Sequence, residues 1–342
     1  MADWLGGYSS EWRVSVVDQD TWADARDLDG VVKVSVSRDN TADVPLLETG
    51  SIEIDTAGQF PTNWLRVNMI VDGAERVPVA TMLFERVSRH TERGSVVTAR
   101  GRSVLQPAAD MDLLYADPKG YAASGSDGAA YAARIIAKCT PAPVRVDGSF
   151  TLSDDVNFDS ACKCLEAAWK VLKAGGFCIQ IEGDGTVRVM PVPTEPSLEL
   201  GKANAGLLIP GVDDDFSAVD VPNRYTAVLG GVTASAVNVD SGSDASYAVR
   251  RRWVDADRDT DPILVNGEDL QAYCERRLAE ESTVTRRYSY TREYWPGIAP
   301  YSLVRATLRE NGLEGDLRVM TQELECGAGV TVSETAGLEV RL

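Results

Sequence analysis

One histidine, six cysteines and 52 carboxylates are the side chains with which this sequence could do chemistry. His90 lies in Arg89-His90-Thr91-Glu92, at an expected hairpin end. A nucleophilic relay needs an imidazole in a concave site beside Ser or Cys, so His90 reads as a solvated turn residue. With a single histidine, histidine-rich zinc sites are excluded. Cys162-Lys163-Cys164 has the spacing of a metal clip or redox pair, but on a helix positions two apart point ~200° from one another and the sulfurs diverge. Ordinary buried thiols are expected there.

The acidic run Asp255, Asp257, Asp259 and Asp261 begins like a calcium loop, with oxygen ligands at alternate positions. Its sixth place holds Thr260 in place of Gly, and its twelfth Asn266 in place of a bidentate Glu. It is a weak calcium candidate, and a solvated loop is the preferred reading; Asp213-Asp214-Asp215 is read the same way. Gly175-Gly176 ends a helix and Gly230-Gly231 lies between strands, so neither cradles a phosphate. Nothing selects a carboxylate pair for sugar hydrolysis from the 52 acids. The cluster Tyr288, Tyr290, Tyr294 and Trp295, interleaved with Arg286 and Arg292, reads as a barrel face. No catalytic residue and no cofactor are expected.

The formal charge is −18, from 34 basic residues, of which 27 are arginine, against 52 acids. Gripping a phosphate backbone requires Lys and Arg to neutralise it, so nucleic-acid binding is not expected, although passage of DNA without holding it is compatible. The N-terminus lacks a basic region followed by an apolar core, and no run approaches the ~18 apolar residues of a membrane span. No Sec signal and no span are expected, and the scattered cysteines suit free thiols in a reducing cytoplasm.

At 342 residues the chain exceeds one ordinary core. From Trp12 to Gly101 apolar residues recur at every second position: Trp12, Val14, Val16; Val32, Val34, Val36; Ile52, Ile54. That period predicts five to seven antiparallel strands, with hairpins at Asp72-Gly73 and Glu92-Arg93-Gly94. Then the period changes. Ser103 can cap a short helix through Leu113, Ala129 to Lys138 forms a second, and Asp159 or Ser160 caps a third through Lys173, followed by strands Phe177 to Ile181 and Thr186 to Val189. Prolines 191, 193 and 196 close this unit. Strands are expected again at Asn223 to Leu229, Thr233 to Val239, Ser246 to Val254, Arg286 to Tyr294, Leu303 to Leu308, Leu317 to Leu324, Val330 to Ser333 and Leu338 to Leu342, with one helix, Leu270 to Ser282. The fold class is α+β, mainly β.

Four stretches make the chain resemble the central hub at the base of contractile and long non-contractile phage tails. They are Trp12 to Val16 leading through Val34-Ser-Val-Ser-Arg38-Asp39 to Glu48-Thr-Gly-Ser-Ile-Glu-Ile54; the hairpin from Leu65-Arg66-Val67 through Asp72-Gly73 to Leu83-Phe84 and on to Val97-Thr-Ala-Arg100-Gly101; the helix Ala161 to Lys173 with Phe177 to Val189; and Asp220-Val-Pro222-Asn223-Arg224-Tyr225. The resemblance implies two tail-tube-like antiparallel β-barrel or sandwich domains, residues 1–102 and 206–342 with one helix in the latter, flanking a mixed α/β insertion, 103–205. It implies a structural, non-enzymatic virion protein assembled in the host cytoplasm. A homotrimer would present six barrels, joining the six-fold tail tube to the three-fold tip and forming part of the DNA ejection conduit. Partners would be tail tube and distal tail proteins, the tape-measure C-terminus, and tip or fibre proteins. A lumen rich in acids would offer passing DNA no sticking point. Because the sequence ends at Arg341-Leu342 as a strand ends, no lysin activity is expected. The excess of arginine suits large subunit interfaces, or equally a GC-rich genome. The rival readings are a tail-associated cell-wall glycosidase and a β-rich binding module with no phage connection.

Overall fold

The computed structural model describes residues 9–40, 48–55, 63–90, 96–200, 208–215, 220–308, 313–327 and 330–341. Seven strands come from the first hundred residues: β1 (Ser10–Val17), β2 (Asp24–Asp27), β3 (Val31–Asp39), β4 (Thr49–Asp55), β5 (Asn63–Val71), β6 (Glu75–His90) and β7 (Val96–Arg102). The two-residue period assigns their faces. Val34, Val36, Ile52, Ile54, Val97 and Ala99 are buried, while Ser35, Ser37, Ser51 and Thr98 occupy the opposite face. β5 turns into β6 at Asp72 (φ 50°) and Gly73 (φ 70°), the left-handed backbone that favours Asp-Gly in a hairpin. The turn expected at Glu92-Arg93-Gly94 lies outside the described residues.

The middle of the chain forms α1 (Gln106–Asp110), α2 (Leu113–Ala116), β8 (Tyr121–Ala122), α3 (Gly128–Cys139), β9 (Val144–Val146), β10 (Val156–Asn157), α4 (Cys164–Ala174), β11 (Phe177–Ile181) and β12 (Val187–Pro191). Ser103 Oγ accepts from Leu105 N at 3.1 Å, but α1 starts at Gln106 and stops before Leu113, so two short helices replace the one expected. α4 starts three residues later than Ala161. Leu113 N donates to Cys162 O and Cys164 N donates to Met111 O, both at 2.9 Å, which holds Cys162 to Cys164 against residues 111–113 until the helix begins. Gly175 and Gly176 (φ 69°) end it as expected.

Beyond this unit lie β13 (Leu198–Leu200), β14 (Leu208–Asp215), β15 (Arg224–Leu229), β16 (Val232–Val237), α5 (Tyr247–Arg250), α6 (Leu270–Glu281), β17 (Thr283–Glu293), β18 (Leu303–Leu308), β19 (Leu313–Cys326) and β20 (Val330–Arg341). Three sequence expectations change here. Ser246 to Val254 is not a strand: Ser246 Oγ caps α5 by accepting from Val249 N, Arg251 leaves it at φ 52°, and Tyr247 stacks on Trp253 with ring centroids 4.2 Å apart. Among the named strands β15 and β16 pair with each other alone, and they pack on α6 through Tyr225, Ala227, Ala236, Tyr273, Cys274 and Leu278, forming a lobe outside the large sheet. The two last strands expected are one, because the ladder runs through Gly337, opposite both Arg287 and Arg318.

The large sheet runs β14-β17-β20-β19-β3-β4-β7-β6-β5-β1-β2, with β18 and β13 attached beside β19. It therefore joins the N-terminal and C-terminal β regions without a break. The strand responsible is β19. Its first half, Leu313 to Arg318, pairs with β18; its second half, Thr321 to Cys326, pairs with β3; and β20 accompanies it on the other side. A register shift between Val319 and Thr321 marks the changeover.

The β11–β12 hairpin is wedged against both β regions. Trp22 Nε1 and Arg66 Nη2 each donate to Asp184 O at 2.8 Å, and Thr81 Oγ1 donates to Gly183 O at 2.9 Å. The approach is so close that a Cβ on Gly183 would lie 2.0 Å from Pro78 O. From the other side, Gln180 Nε2 donates to Pro300 O at 3.0 Å and Arg318 Nη1 to Pro193 O at 3.1 Å.

Candidate functional surface

Where β19 meets β3, the two faces of the sheet have opposite characters. The inner face holds a buried polar network. Arg38 donates to Glu48 (2.5 Å), to Val79 O (2.6 Å) and to Gln322 Oε1 (3.3 Å). Gln322 Nε2 donates onward to Glu334 (2.9 Å) and Ile298 O (3.1 Å), and Arg292 clamps Glu334 Oε2 with Nε (3.1 Å) and Nη2 (2.6 Å). Tyr290 completes it by donating to Glu334 Oε1. Arg38, Glu48, Arg292, Gln322 and Glu334 are each at most 3% exposed. Burial raises the carboxyl of Glu48 above its ordinary range, with Arg38 pulling it back, and Glu48 Oε2 has no partner among the described residues. Burial disfavours the Arg292 cation, yet Glu334 outweighs it and raises the guanidinium; burial and Glu334 together push the Tyr290 phenol well up.

The outer face over the same strands is lined by cross-strand rows that pass from the C-terminal into the N-terminal region. One row reads Glu293, Thr331, Glu325, Ser35, Ser51, Arg100, Glu85, and the next Thr291, Ser333, Glu323, Ser37, Thr49, Arg102. A third, Ser289, Thr335, Thr321, Asp39, ends at the junction. These 17 positions comprise ten hydroxyls, five acids and two arginines, a net of three negative charges, and the second row, carried on to β6 as the first is, ends on the half-buried Leu83. Neighbouring hydroxyls bond across strands: Ser35 to Ser51 at 2.8 Å, Ser289 to Thr335 at 3.2 Å and Thr291 to Ser333 at 3.4 Å. The face is concave, with hollows of about 710 Å³ over β3, β4 and β7 and about 320 Å³ over β17 and β20. At the usual strand spacing, seven strands from β17 to β6 make it roughly 29 Å wide.

Apart from Tyr290 and Arg292, which belong to the buried network, the residues singled out in the sequence for possible chemistry lie elsewhere. His90 is the last residue of β6, its backbone opposite Val96. Cys162 precedes α4 instead of sharing it with Cys164, so local pairing, and not helical divergence, sets their geometry. All six cysteines are free, and burial pushes Cys162 up to about 11 and Cys164, Cys178 and Cys326 up to about 12. The calcium-loop acids point to different partners. Asp255 pairs with Arg224, which lowers its carboxyl; Asp259 accepts from Tyr273 OH (2.5 Å) and Tyr225 OH (3.2 Å); Asp261 pairs with Lys170; Asp257 is exposed. Among the described residues no three His, Cys, Asp or Glu side chains gather as a metal site would require. Asp213-Asp214-Asp215 is not a loop but part of β14, opposite Ser289, Tyr288 and Arg287. In the Tyr/Arg cluster, Tyr288, Tyr290, Tyr294 and Arg292 are buried, Trp295 is half-buried and Arg286 is exposed.

No helix among the described residues is long and apolar enough to cross a membrane. No family model and no curated protein matches the sequence. Solved structures match along nearly the whole chain. The 43 kDa tail protein of prophage MuSo2 from Shewanella oneidensis is 14% identical, with 96% of this chain and 98% of that one covered at a TM-score of 0.62. A tail protein from Neisseria meningitidis MC58 is 12% identical, with 96% of each chain covered and a TM-score of 0.67. The prophage tail protein gp18 from Listeria monocytogenes EGD-e is 8% identical over 96% of this chain and 94% of that one, with a TM-score of 0.55. The chain has the fold these tail proteins share.

Proposed function

We propose that this protein is a structural, non-enzymatic component of a phage-type tail, a hub or tail-tip subunit whose hydroxyl-lined sheet face forms part of the wall past which DNA moves. The observation that carries the reading is the continuity of that face across β19 and β3, which makes one unbroken surface from two β regions. Serine and threonine offer a translocating polyanion water-like contacts, and three net negative charges per subunit leave it no cation cluster to neutralise. The sequence reading placed repulsion in the lumen. This face works more by hydroxyls than by acids.

In this reading three copies close a ring between the six-fold tube and the three-fold tip. The tape-measure C-terminus lies inside, and tip or fibre proteins lie below. The protein resides in the virion after assembly in the host cytoplasm. Particles carrying Ser37→Lys, Ser51→Lys and Ser333→Lys test it. They are expected to assemble with the ring intact and to release DNA more slowly, in a salt-dependent way. Normal release, or an image of the particle with this face turned away from the axis, refutes it.

A further inference from the structure

Among the described residues, the lobe built from β15, β16 and α6 leaves a sheet edge open. On β15, Arg224 N, Thr226 O and Val228 N bond to the stretch from Val254 to Asp259, so Tyr225, Ala227 and Leu229 are the residues that bond β16. Their partners are Ala236, Ala234 and Val232. In an antiparallel ladder the alternate residues, Thr233, Ser235 and Val237, must then aim their N–H and C=O groups away from β15. Among the described residues, the one side chain bonded to this edge is Gln271, at 3.4 Å from Ser235 O, and it also donates to Glu275 at 3.0 Å. Between the edge and α6 runs a groove of about 540 Å³, floored by Leu278 and Ala279. Its described lining carries two carboxylates, Asp240 and Glu275, and no cation. Val232, Val237 and Val239 stand 64%, 48% and 57% exposed beside it. Unblocked edges of this kind invite another strand.

We infer that β16 is a docking edge for an extended basic segment of a partner protein, which adds as a third strand. Alternate apolar side chains of the segment rest on Leu278 and Ala279, and its cations reach Asp240 and Glu275. A second copy pairing through β2, one end of its large sheet, fits less well, because Asp24 and Asp27 bring acids to an acidic groove.

The test uses the full chain and the synthetic peptide Lys-Val-Lys-Val-Thr-Val-Lys-Val, followed by amide hydrogen exchange and fluorescence anisotropy. Saturating peptide is expected to slow exchange at Thr233, Ser235 and Val237 at least tenfold, leaving Ala234 and Ala236, already bonded to β15, unchanged. The double variant Asp240→Lys, Glu275→Lys, with its fold checked by the unchanged exchange of Ala234 and Ala236, is expected to weaken binding about tenfold, equivalent to 1.4 kcal/mol. The same peptide with glutamate in place of lysine is expected not to bind the native chain. Absence of protection at the three amides, equal binding of the acidic peptide, or protection that rises with protein concentration alone would overturn the proposal; the last would assign the edge to a second copy.

Discussion

Replacing Arg292 with methionine probes the buried network most directly. The guanidinium supplies two of the four hydrogen bonds that Glu334 accepts, and it is the cation nearest to a carboxylate only 3% exposed. Methionine fills similar space but leaves that charge with Gln322 and Tyr290 alone. Removing one member of a buried ion pair costs about 3–5 kcal/mol, so Arg292→Met should lose that much at pH 7 in urea unfolding followed by tryptophan fluorescence. Adding Glu334→Gln, which keeps an acceptor for Tyr290 without the charge, should recover about 2 kcal/mol. A deficit under about 1 kcal/mol, or no recovery on adding Glu334→Gln, would show that the pair does not behave as a buried charge couple.

Glu48 offers a milder case. Its carboxyl is raised from the ordinary 4.5 by burial, so Glu48→Gln should gain stability relative to the parent as pH rises from about 4 to 7, measured by thermal unfolding across that window. Gly183→Ala puts a methyl against the Pro78 carbonyl and should cost about 1–3 kcal/mol while freeing the Trp22 indole from Asp184 O, visible as a red shift in emission and as proteolysis near residue 184. Cys164, Cys178 and Cys326, raised to about 12, should not react with a disulfide reagent at pH 8 until denaturant is added. Rapid native labelling of Cys178 would contradict its buried placement.

Much of the fold is legible because local signals and tertiary structure agree. The N-terminal strands, the Asp72-Gly73 hairpin and helix α6 follow from period and turn chemistry that packing does not override. The buried charges were legible too, though their residue types hid them. Arg38 continues the inward register of Val34 and Val36, Arg292 that of Tyr288 and Tyr290, and Glu334 that of Val330 and Val332, so the period alone puts all three inside. Charge argued for the surface, and pairing across β19 decided otherwise. The candidate face had the same signal in the complementary register, as Ser35, Ser37, Ser289, Thr291, Ser333 and Thr335. What the sequence could not carry is which strands become neighbours. Nothing local tells β3 and β19, nearly three hundred residues apart, to pair. Nor does any local pattern tell β15 and β16 to stand apart from the large sheet.

The sharing of β19 has a mechanical consequence. A hinge between the two β regions would have to break the ladder from Thr321 to Cys326 and the buried Arg38–Gln322–Glu334 network at the same moment, so bending there is costly. Torque applied at one end of the large sheet is delivered at the other through peptide groups, as through a girder. Any widening or tilting of an assembly of these subunits must be taken up at the joints between them, or by the lobe of β15, β16 and α6, which stands outside the large sheet and is tied through Ile263 and Val265 to the core of the middle unit.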